Sequence, residues 1–418
     1  MVSDPYSCSL PHQFSSRPSD RVAGPLVRIG PDWVVTNDPS EIRRIWSVRS
    51  GYYRSPWYHG LRFDPARDSI ITATSNAEHA RLRTHVLPGY SGKGMDSQEQ
   101  LVDEQIAKFL QLIRRKYLST RNELRPLDMS RSMQYLTQDI ISAIEFSKPF
   151  GYLDADADIY GVIEIFEALL GSVMIAALFP ILLPVMKSRL VKPFLPKPTD
   201  KHGVGRLLGV IKEHVDLRYG DDKTKKNDVL QSFVDSGLNR DDVESEALIH
   251  MVGGTDTSAL ALRNIIFFVA SNAVAYRKLQ AEIDASAKSL SSEAEIVSDE
   301  QARELPYLQA VIKEGLRMWP PVMGLMARMS DQDDVVCGFK IPARTHVAWA
   351  GWALMKDKDT FGQDADVFEP ERWLGVEPDR LKAMLSVQGL VFASGSRWEC
   401  LGKRLAYLEL NKAVFEVT

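Results

Sequence analysis

The chain carries long stretches of helical periodicity separated by a few short apolar runs beside turn signals. From Ser97 to Leu118, and again from Tyr135 to Phe146, apolar residues recur at three- and four-residue spacing, which predicts amphipathic helices. Asp241 to Val269 reads as one long helix, with acidic residues in its first turn that complement the helix dipole. Further helices are expected near Ala273–Ala287, Leu305–Met318, around Glu78–Arg83, and from about Leu401 to Phe415. Leu26–Ile29 and Trp33–Thr36 read as short strands flanking the turn Gly30-Pro31-Asp32. Strand-like stretches return at Asp334–Ile341 and Thr345–Trp349. The pattern predicts a mainly α fold with a small β-sheet region assembled from distant parts of the chain.

Lys197–Gly205 reads as a connection bearing Pro and Gly, and Gly220–Asp228 as a charged, solvated loop. No internal repeat and no long linker divides the chain, so residues 21–418 are expected to form a single domain. Residues 1–20 are polar and rich in Ser and Pro, and are expected to be a disordered tail. They hold neither the apolar core of a signal peptide nor the roughly 20 apolar residues of a membrane span. Leu169–Met186 is uncharged and mostly apolar, is interrupted by Pro180 and Pro184, and is followed by Lys187, Arg189, Lys192 and Lys197. It fits a buried or lid-forming helix pair, a segment dipping into a membrane surface, or a true membrane span.

Composition narrows the classes. With 418 residues, 44% of them hydrophobic and 25% charged, the chain can bury a large core. A net charge of −4 excludes a broad basic surface for nucleic acid. Three cysteines (Cys8, Cys337 and Cys400) make no disulfide framework and suit a reducing compartment. Cys337 falls in an expected strand and reads as a core residue.

Cys400 stands out. It lies in Phe392-Ala-Ser-Gly-Ser-Arg-Trp-Glu-Cys-Leu-Gly402, just before a helix. A lone cysteine is usually a small buried hydrophobe. Here a helix start would lower the thiol pKa, glycines would admit a large flat partner, and Arg397 offers a fixed cation for an acidic group on that partner. The surroundings point to a thiolate that holds a metal cofactor.

The long helix contains Met251-Val-Gly253-Gly254-Thr255-Asp256-Thr257-Ser258. Two glycines in a helix cost about 1 kcal/mol each against alanine, so their presence beside a polar cluster marks a possible groove next to a cofactor. Asp256 and Thr257 could relay protons there. The alternative is a helix kink in which Thr257 bonds its own backbone. Glu314 and Arg317 lie three apart on a helix, and Arg372 in Phe368-Glu-Pro-Glu-Arg-Trp373 offers a second guanidinium. They form either a shared-carboxylate clamp or exposed pairs of little worth. His79 and Arg83, four apart, either grip an anion or form a solvated basic face. No histidine pair has the spacing of a helical zinc site, and no nicotinamide or flavin site is evident.

Taken in this order, Gly254-Thr-Asp-Thr-Ser258, Glu314-Gly-Leu-Arg317, Pro370-Glu-Arg-Trp373 and the Cys400 loop resemble the cytochrome P450 family, and several segments resemble fungal members that tailor secondary metabolites. The resemblance implies the P450 fold, with haem b between the long central helix and the Cys-loop helix. Cys400 would be the axial thiolate of the iron, the arrangement for which the P450s are the standard example. Asp256 and Thr257 would deliver protons, and Glu314, Arg317 and Arg372 would form the structural clamp. His79, Arg83 and Arg397 would hold the propionates, with Gly253, Gly254, Phe392 and Gly402 also at the haem. Val322, Met323, Leu325 and Met326 would line the substrate pocket, with part of Gly161–Pro184. The implied reaction is insertion of one oxygen atom from O2 into an apolar small molecule. An NADPH-dependent reductase would supply electrons, with Lys403 and Arg404 as docking contacts. The expected site is the surface of the endoplasmic reticulum through peripheral membrane contact, with the cytoplasm as the alternative. Against the family pattern, one extra residue falls between Arg397 and Cys400, and the chain ends 18 residues past Cys400, as a truncated product would. Two other outcomes stay open: a haem-thiolate rearrangement or peroxide-driven enzyme, and an inactive haem-binding remnant.

Overall fold

The computed structural model describes residues 24–63, 67–92, 98–179, 188, 195–219, 225–288 and 296–418. The expected tail (1–20), the whole of Pro180–Met186 and the first five residues (220–224) of the Gly220–Asp228 loop lie outside the described residues.

Two strands, β1 (Leu26–Gly30) and β2 (Trp33–Thr36), form the expected hairpin. Helix α1 (Pro39–Trp46) follows, capped by the Asp38 carboxylate on the amides of Ser40 and Glu41. Strand β3 (Tyr53–Arg54) leads into a 3₁₀ turn at Pro56–Leu61. The longer helices are α2 (Asn76–Ser91), α3 (Gln98–Leu112), α4 (Met129–Phe146), α5 (Val162–Leu178), α6 (Gly203–Tyr219) and α7 (Val229–Asp235). They continue with α8 (Arg240–Ser271), α9 (Ala273–Ala287), α10 (Pro306–Met318) and α11 (Lys403–Val417). Strands β4 (Arg328–Met329), β5 (Asp334–Val336), β6 (Phe339–Ile341) and β7 (His346–Trp349) lie between α10 and α11.

The main sheet runs in the order β1-β2-β7-β4-β3, so strands from both ends of the chain meet. Trp33 to Thr36 pair in parallel with His346 to Trp349. The 32-residue α8 runs through the helical core, packed on α4, α6, α10 and α11. Its buried face, with Leu262 and Ile265, meets Ile140 and Ile141 of α4 and Leu316 of α10. A second core under the sheet gathers Trp46, Trp349, Trp373 and Leu390.

The mainly α reading with a small sheet is what the structure shows. Three local expectations change. Helix α4 starts at Met129, where Asp128 accepts from the amide of Arg131. Gly203–Gly205 opens α6 instead of belonging to a connection, because Gly203 adopts φ +69 at the turn of entry. Cys337 is half-buried in the β5–β6 turn at φ +51, 3.5 Å from the Thr36 hydroxyl, and is not a core strand residue.

Candidate functional site

The Cys400 loop is closed on itself before α11 begins. The Cys400 amide donates to the Phe392 carbonyl at 2.9 Å, and Phe392 packs on Tyr407 with ring centroids 5.3 Å apart. Gly395 adopts φ +78 and donates its amide to the Glu399 carboxylate at 3.2 Å. The extra residue is taken up in a turn in which the Glu399 amide donates to the Ser396 carbonyl at 3.2 Å. The Cys400 sulfur then sits at the N-terminus of α11. Burial pushes its thiol pKa up, and the amides of Gly402 and Lys403 pull the other way by bonding the thiolate. Protein surrounds the residue, yet its side chain is open to solvent, because it lines a groove of about 530 Å³ with Arg83, Arg303, Lys403 and Arg404.

Arginines gather close by. Arg83 of α2 donates to the Glu399 carbonyl at 2.9 Å. Arg397 donates to the carbonyls of Val48 and Ser50, which commits one of its nitrogens to the loop after α1. Arg54 is buried and donates to the Ile70 carbonyl at 2.5 Å. Arg328 is fully buried in a box of Trp46, Tyr58 and Trp398. Among the described residues none of the four forms a salt bridge, although the Glu399 carboxylate acts on Arg83 from a distance, and Arg54 Nε, Arg397 Nε, and Arg328 Nε and Nη2 have no hydrogen-bond partner. The electrostatic consequence is visible: burial, then Arg328 and Arg83, push Arg54 down to about 9. Burial, then Arg54, Arg83, Arg328 and Arg397, push the buried His79 down to about 3. Sparse, buried, uncompensated positive charge requires an anion. Arg54 and Arg328 were not singled out from the sequence. Their one signal is a lone arginine in an apolar strand, as in Leu325-Met-Ala-Arg-Met329.

The two glycines of α8 have different reasons. A Cβ on Gly253 would meet open space, whereas a Cβ on Gly254 would overlap the Ile141 side chain of α4. Gly253 therefore leaves open space beside α8, and Gly254 permits helix packing. The Thr257 hydroxyl donates to the Gly253 carbonyl at 2.5 Å, the backbone bond of the alternative reading, within an unbroken helix. Asp256 lines a small cavity bounded by α4, α5 and α6.

The clamp residues meet in the core. Arg317 binds Glu314 through both nitrogens of its fork, at 2.8 and 2.7 Å, and reaches the carbonyls of Met355 and Ala365 at 2.7 Å. Arg372 adds a 3.4 Å contact to Glu314, and the Trp373 indole donates to it at 2.9 Å. Glu314 and Arg317 are completely buried, which removes the exposed-pair alternative.

The expected pocket residues are scattered in accessibility. Val322 is exposed, Met323 packs over Gly351, and the Leu325 carbonyl accepts from the Trp349 amide at 3.4 Å. Met326 takes φ +44 and packs beside the cluster of Trp57, Tyr58 and Ala177.

A sequence model described as Cytochrome P450 matches residues 27–417. The chain belongs to the cytochrome P450 family. Cytochrome P450 monooxygenase ABA1 of Pyricularia oryzae is 38% identical over 397 residues, covering 94% of this chain and 77% of that protein. Cytochrome P450 monooxygenase aba1 of Botryotinia fuckeliana is 36% identical over 405 residues, covering 94% and 78%. Cytochrome P450 monooxygenase abl1 of Leptosphaeria maculans is 35% identical over 400 residues, covering 95% and 70%. The chain is thus an oxidoreductase of the P450 monooxygenase family, whose members carry a haem-thiolate group and use O2, a redox-partner reductase and small-molecule substrates.

The residues of this P450 fit that group. The sulfur of Cys400 is presented by a helix N-terminus, Gly253 leaves space along α8, and orphaned guanidinium nitrogens match a two-carboxylate ligand. Among the described residues no single helix is long and apolar enough to cross a membrane.

Proposed function

We propose that this P450 is a haem b monooxygenase that inserts one oxygen atom from O2 into an apolar small molecule, a fungal secondary-metabolite intermediate. The observation that carries the reading is the Cys400 sulfur, just ahead of the N-terminus of α11, together with a cluster of Arg54, Arg83, Arg328 and Arg397 that forms no salt bridge among the described residues. Haem ligated by thiolate supplies the activation of dioxygen when bound.

The protein's own residues do the rest. Gly402 and Lys403 amides stabilise the thiolate of Cys400. Arg83, Arg328, Arg54, Arg397 and neutral His79 would hold the propionates, while Phe392 packs on Tyr407 and supports the Cys400 loop. Thr257, its hydroxyl tethered to the Gly253 carbonyl, and Asp256, which lines the cavity against α4 and α5, would deliver protons. Electrons come from an NADPH-dependent reductase docked at the groove of Lys403 and Arg404 beside Cys400. Exposed Leu169, Leu170, Ile175, Leu178 and Phe179 on and after α5 favour peripheral contact with the endoplasmic-reticulum membrane.

The test is the spectrum of the reduced, haem-loaded protein with carbon monoxide. A red-shifted Soret band is expected, and its loss in Cys400→Ala. A band without the shift ends the thiolate reading. Thr257→Ala separates oxygen activation from a rearrangement or peroxide-driven reaction. Loss of NADPH-coupled turnover is expected, and full turnover would favour the other chemistry.

A further inference from the structure

Arg54 of β3 and Glu246 of α8 hold one peptide of the chain from its two sides. Arg54 Nη1 donates to the Ile70 carbonyl at 2.5 Å and to the Ala73 carbonyl at 3.4 Å. The Ile70 amide donates to Glu246 Oε1 at 2.7 Å. Arg54, Ile70 and Glu246 are all buried. Each of the two polar side chains keeps an atom unused: Arg54 Nε and Glu246 Oε2 have no hydrogen-bond partner among the described residues. Burial pushes the Glu246 carboxyl up to about 8, so at neutral pH it carries its proton and can donate it to an acceptor. A buried donor without a partner costs free energy, so two of them beside one peptide call for an acceptor.

Charge points to what that acceptor is. The thiolate and the ring nitrogens of haem neutralise ferric iron, so haem brings only its two propionates to Arg54, Arg83, Arg328 and Arg397. The Glu399 carboxylate acts on Arg83 and offsets part of its charge. Positive charge remains over, and buried positive charge requires an anion. Arg54 also acts on Glu246, which places it on the α8 side of the cluster. Helix geometry connects this corner with the open side of α8. Residues seven and eleven apart return to the same face of an unbroken α-helix within about 20°, so Glu246, Gly253 and Thr257 share one face. A Cβ on Gly253 would meet open space on that face. Glu246 stands about 10 Å from Gly253 along the axis, at about 1.5 Å per residue.

We infer that Arg54 and Glu246 are specificity-determining residues that bind a single carboxylate on an otherwise apolar substrate, whose body lies along the face of α8 that carries Gly253 and Thr257. Arg54 supplies the cation and an N–H, Glu246 supplies a neutral O–H, and the Ile70 peptide fixes the two relative to each other. The substrate class is an apolar monocarboxylic acid with about 10 Å between its carboxylate and the carbon that is oxidised. This inference rests on the reading of the chain as a haem monooxygenase and names the substrate class of that site.

The experiment titrates the haem-loaded full chain with decanoic, dodecanoic and hexadecanoic acids and with their methyl esters. The spin-state shift of the Soret band is followed, and the heat of binding is measured independently of it. Wild type is expected to bind an acid about tenfold or more tighter than its ester, the worth of a hydrogen bond to a charged group. Arg54→Met should abolish that preference, leave ester affinity unchanged and retain more haem than Arg328→Met. Arg54→Lys should keep part of the preference. Glu246→Leu should weaken acid binding. Glu246→Gln, which still offers a donor and still accepts from the Ile70 amide, should restore it. Equal affinity for acid and ester in wild type overturns the inference, as does a lack of binding by all three acids. If Arg54→Met keeps the preference, or loses haem as fully as Arg328→Met, Arg54 serves the propionates alone and the inference falls. A carbon monoxide spectrum without the red shift overturns the haem-thiolate reading itself, whereas a red-shifted band with no acid preference overturns only the carboxylate site.

Discussion

The Arg328 guanidinium carbon lies 4.2 Å from the centre of the Trp398 ring, two residues before Cys400. Strand β4 and the Cys400 loop, remote from each other in the chain, are thus joined by a cation on an aromatic face. Trp46 and Tyr58 complete the box at 5.1 Å each. Two nitrogens of Arg328 remain without partners, and burial pushes its pKa down. The cation is held in place by aromatic walls but is not neutralised by them.

That arrangement predicts opposite effects of one substitution on the two forms of the protein. Arg328→Met removes an uncompensated buried charge, so the apoprotein should become more stable by about 1 kcal/mol or more. The haem-loaded form should lose a buried charge-assisted contact, weakening haem retention by about 2–5 kcal/mol. Urea unfolding of the apoprotein and the rate of haem transfer to an acceptor protein measure the two effects. A parallel loss in both forms would show that Arg328 is a packing residue only.

The clamp should behave differently, because its charges are mutually satisfied. Glu314 takes hydrogen bonds from Arg317, Trp373 and the Glu369 amide. Glu314→Ala strands the buried Arg317 guanidinium and should cost about 3–5 kcal/mol. Arg317→Lys should also be poorly tolerated, since one ammonium cannot bind Glu314 in two-point fashion and still reach Met355 and Ala365. Soluble yield and urea midpoints of the apoproteins report this without any reference to turnover. A Glu314→Ala midpoint within about 1 kcal/mol of wild type would remove the clamp from the account of stability.

Two buried acids set a pH dependence. Burial pushes Glu246 and Glu409 up to about 8, against partial relief from the Ile70 amide and the Ser258 hydroxyl respectively. The folded pKa values lie above the unfolded value, so the unfolded chain releases these protons first. Their stabilising contribution is complete below the unfolded carboxylate pKa and is lost as pH rises towards 8. The slope is up to about 1.4 kcal/mol per pH unit for each group. Glu409→Gln and Glu246→Gln should therefore flatten the stability profile of the apoprotein between pH 5 and 8 and be more stable than wild type at the upper end. Urea midpoints across that range that keep the wild-type slope would contradict the assignment.

How much of this was readable beforehand follows from distance along the chain. Glu314 and Arg317 are one helical turn apart, and Asp256 and Thr257 are adjacent, so a local pattern exposes them. The Cys400 loop is likewise a contiguous string. Arg54 and Arg328 are invisible by that route, because their meaning comes from Trp46, Tyr58 and Trp398 assembled across the sheet. The two glycines of α8 look alike in sequence and are separated only by what stands opposite them, open space for Gly253 and Ile141 for Gly254. The helix at Gly203–Tyr219 was hidden by glycines at 203, 205 and 209. Gly205 and Gly209 sit against the backbone carbonyls of Lys197 and Pro198, a tertiary demand that overrides helix propensity.

The same kind of demand governs Gly60. It sits in the 3₁₀ turn that carries the buried Trp57 and Tyr58, and a Cβ there would overlap the backbone of Ala177 near the end of α5. Ala177 is itself completely buried. Helix α5 is therefore docked on the turn by backbone contact, with no side chain able to yield. Gly60→Ala should cost about 1–3 kcal/mol by overpacking and should speed hydrogen exchange in the last turns of α5. Ala177→Gly alone should destabilise modestly through helix propensity, by about 1 kcal/mol. In the double variant the removed methyl frees only part of the space, since the clash includes the Ala177 backbone. A favourable coupling of about 0.5 kcal/mol or more between the two is expected in a double-mutant cycle. Strict additivity, with unchanged exchange in α5, would mean that the glycine is not required by the approach of α5.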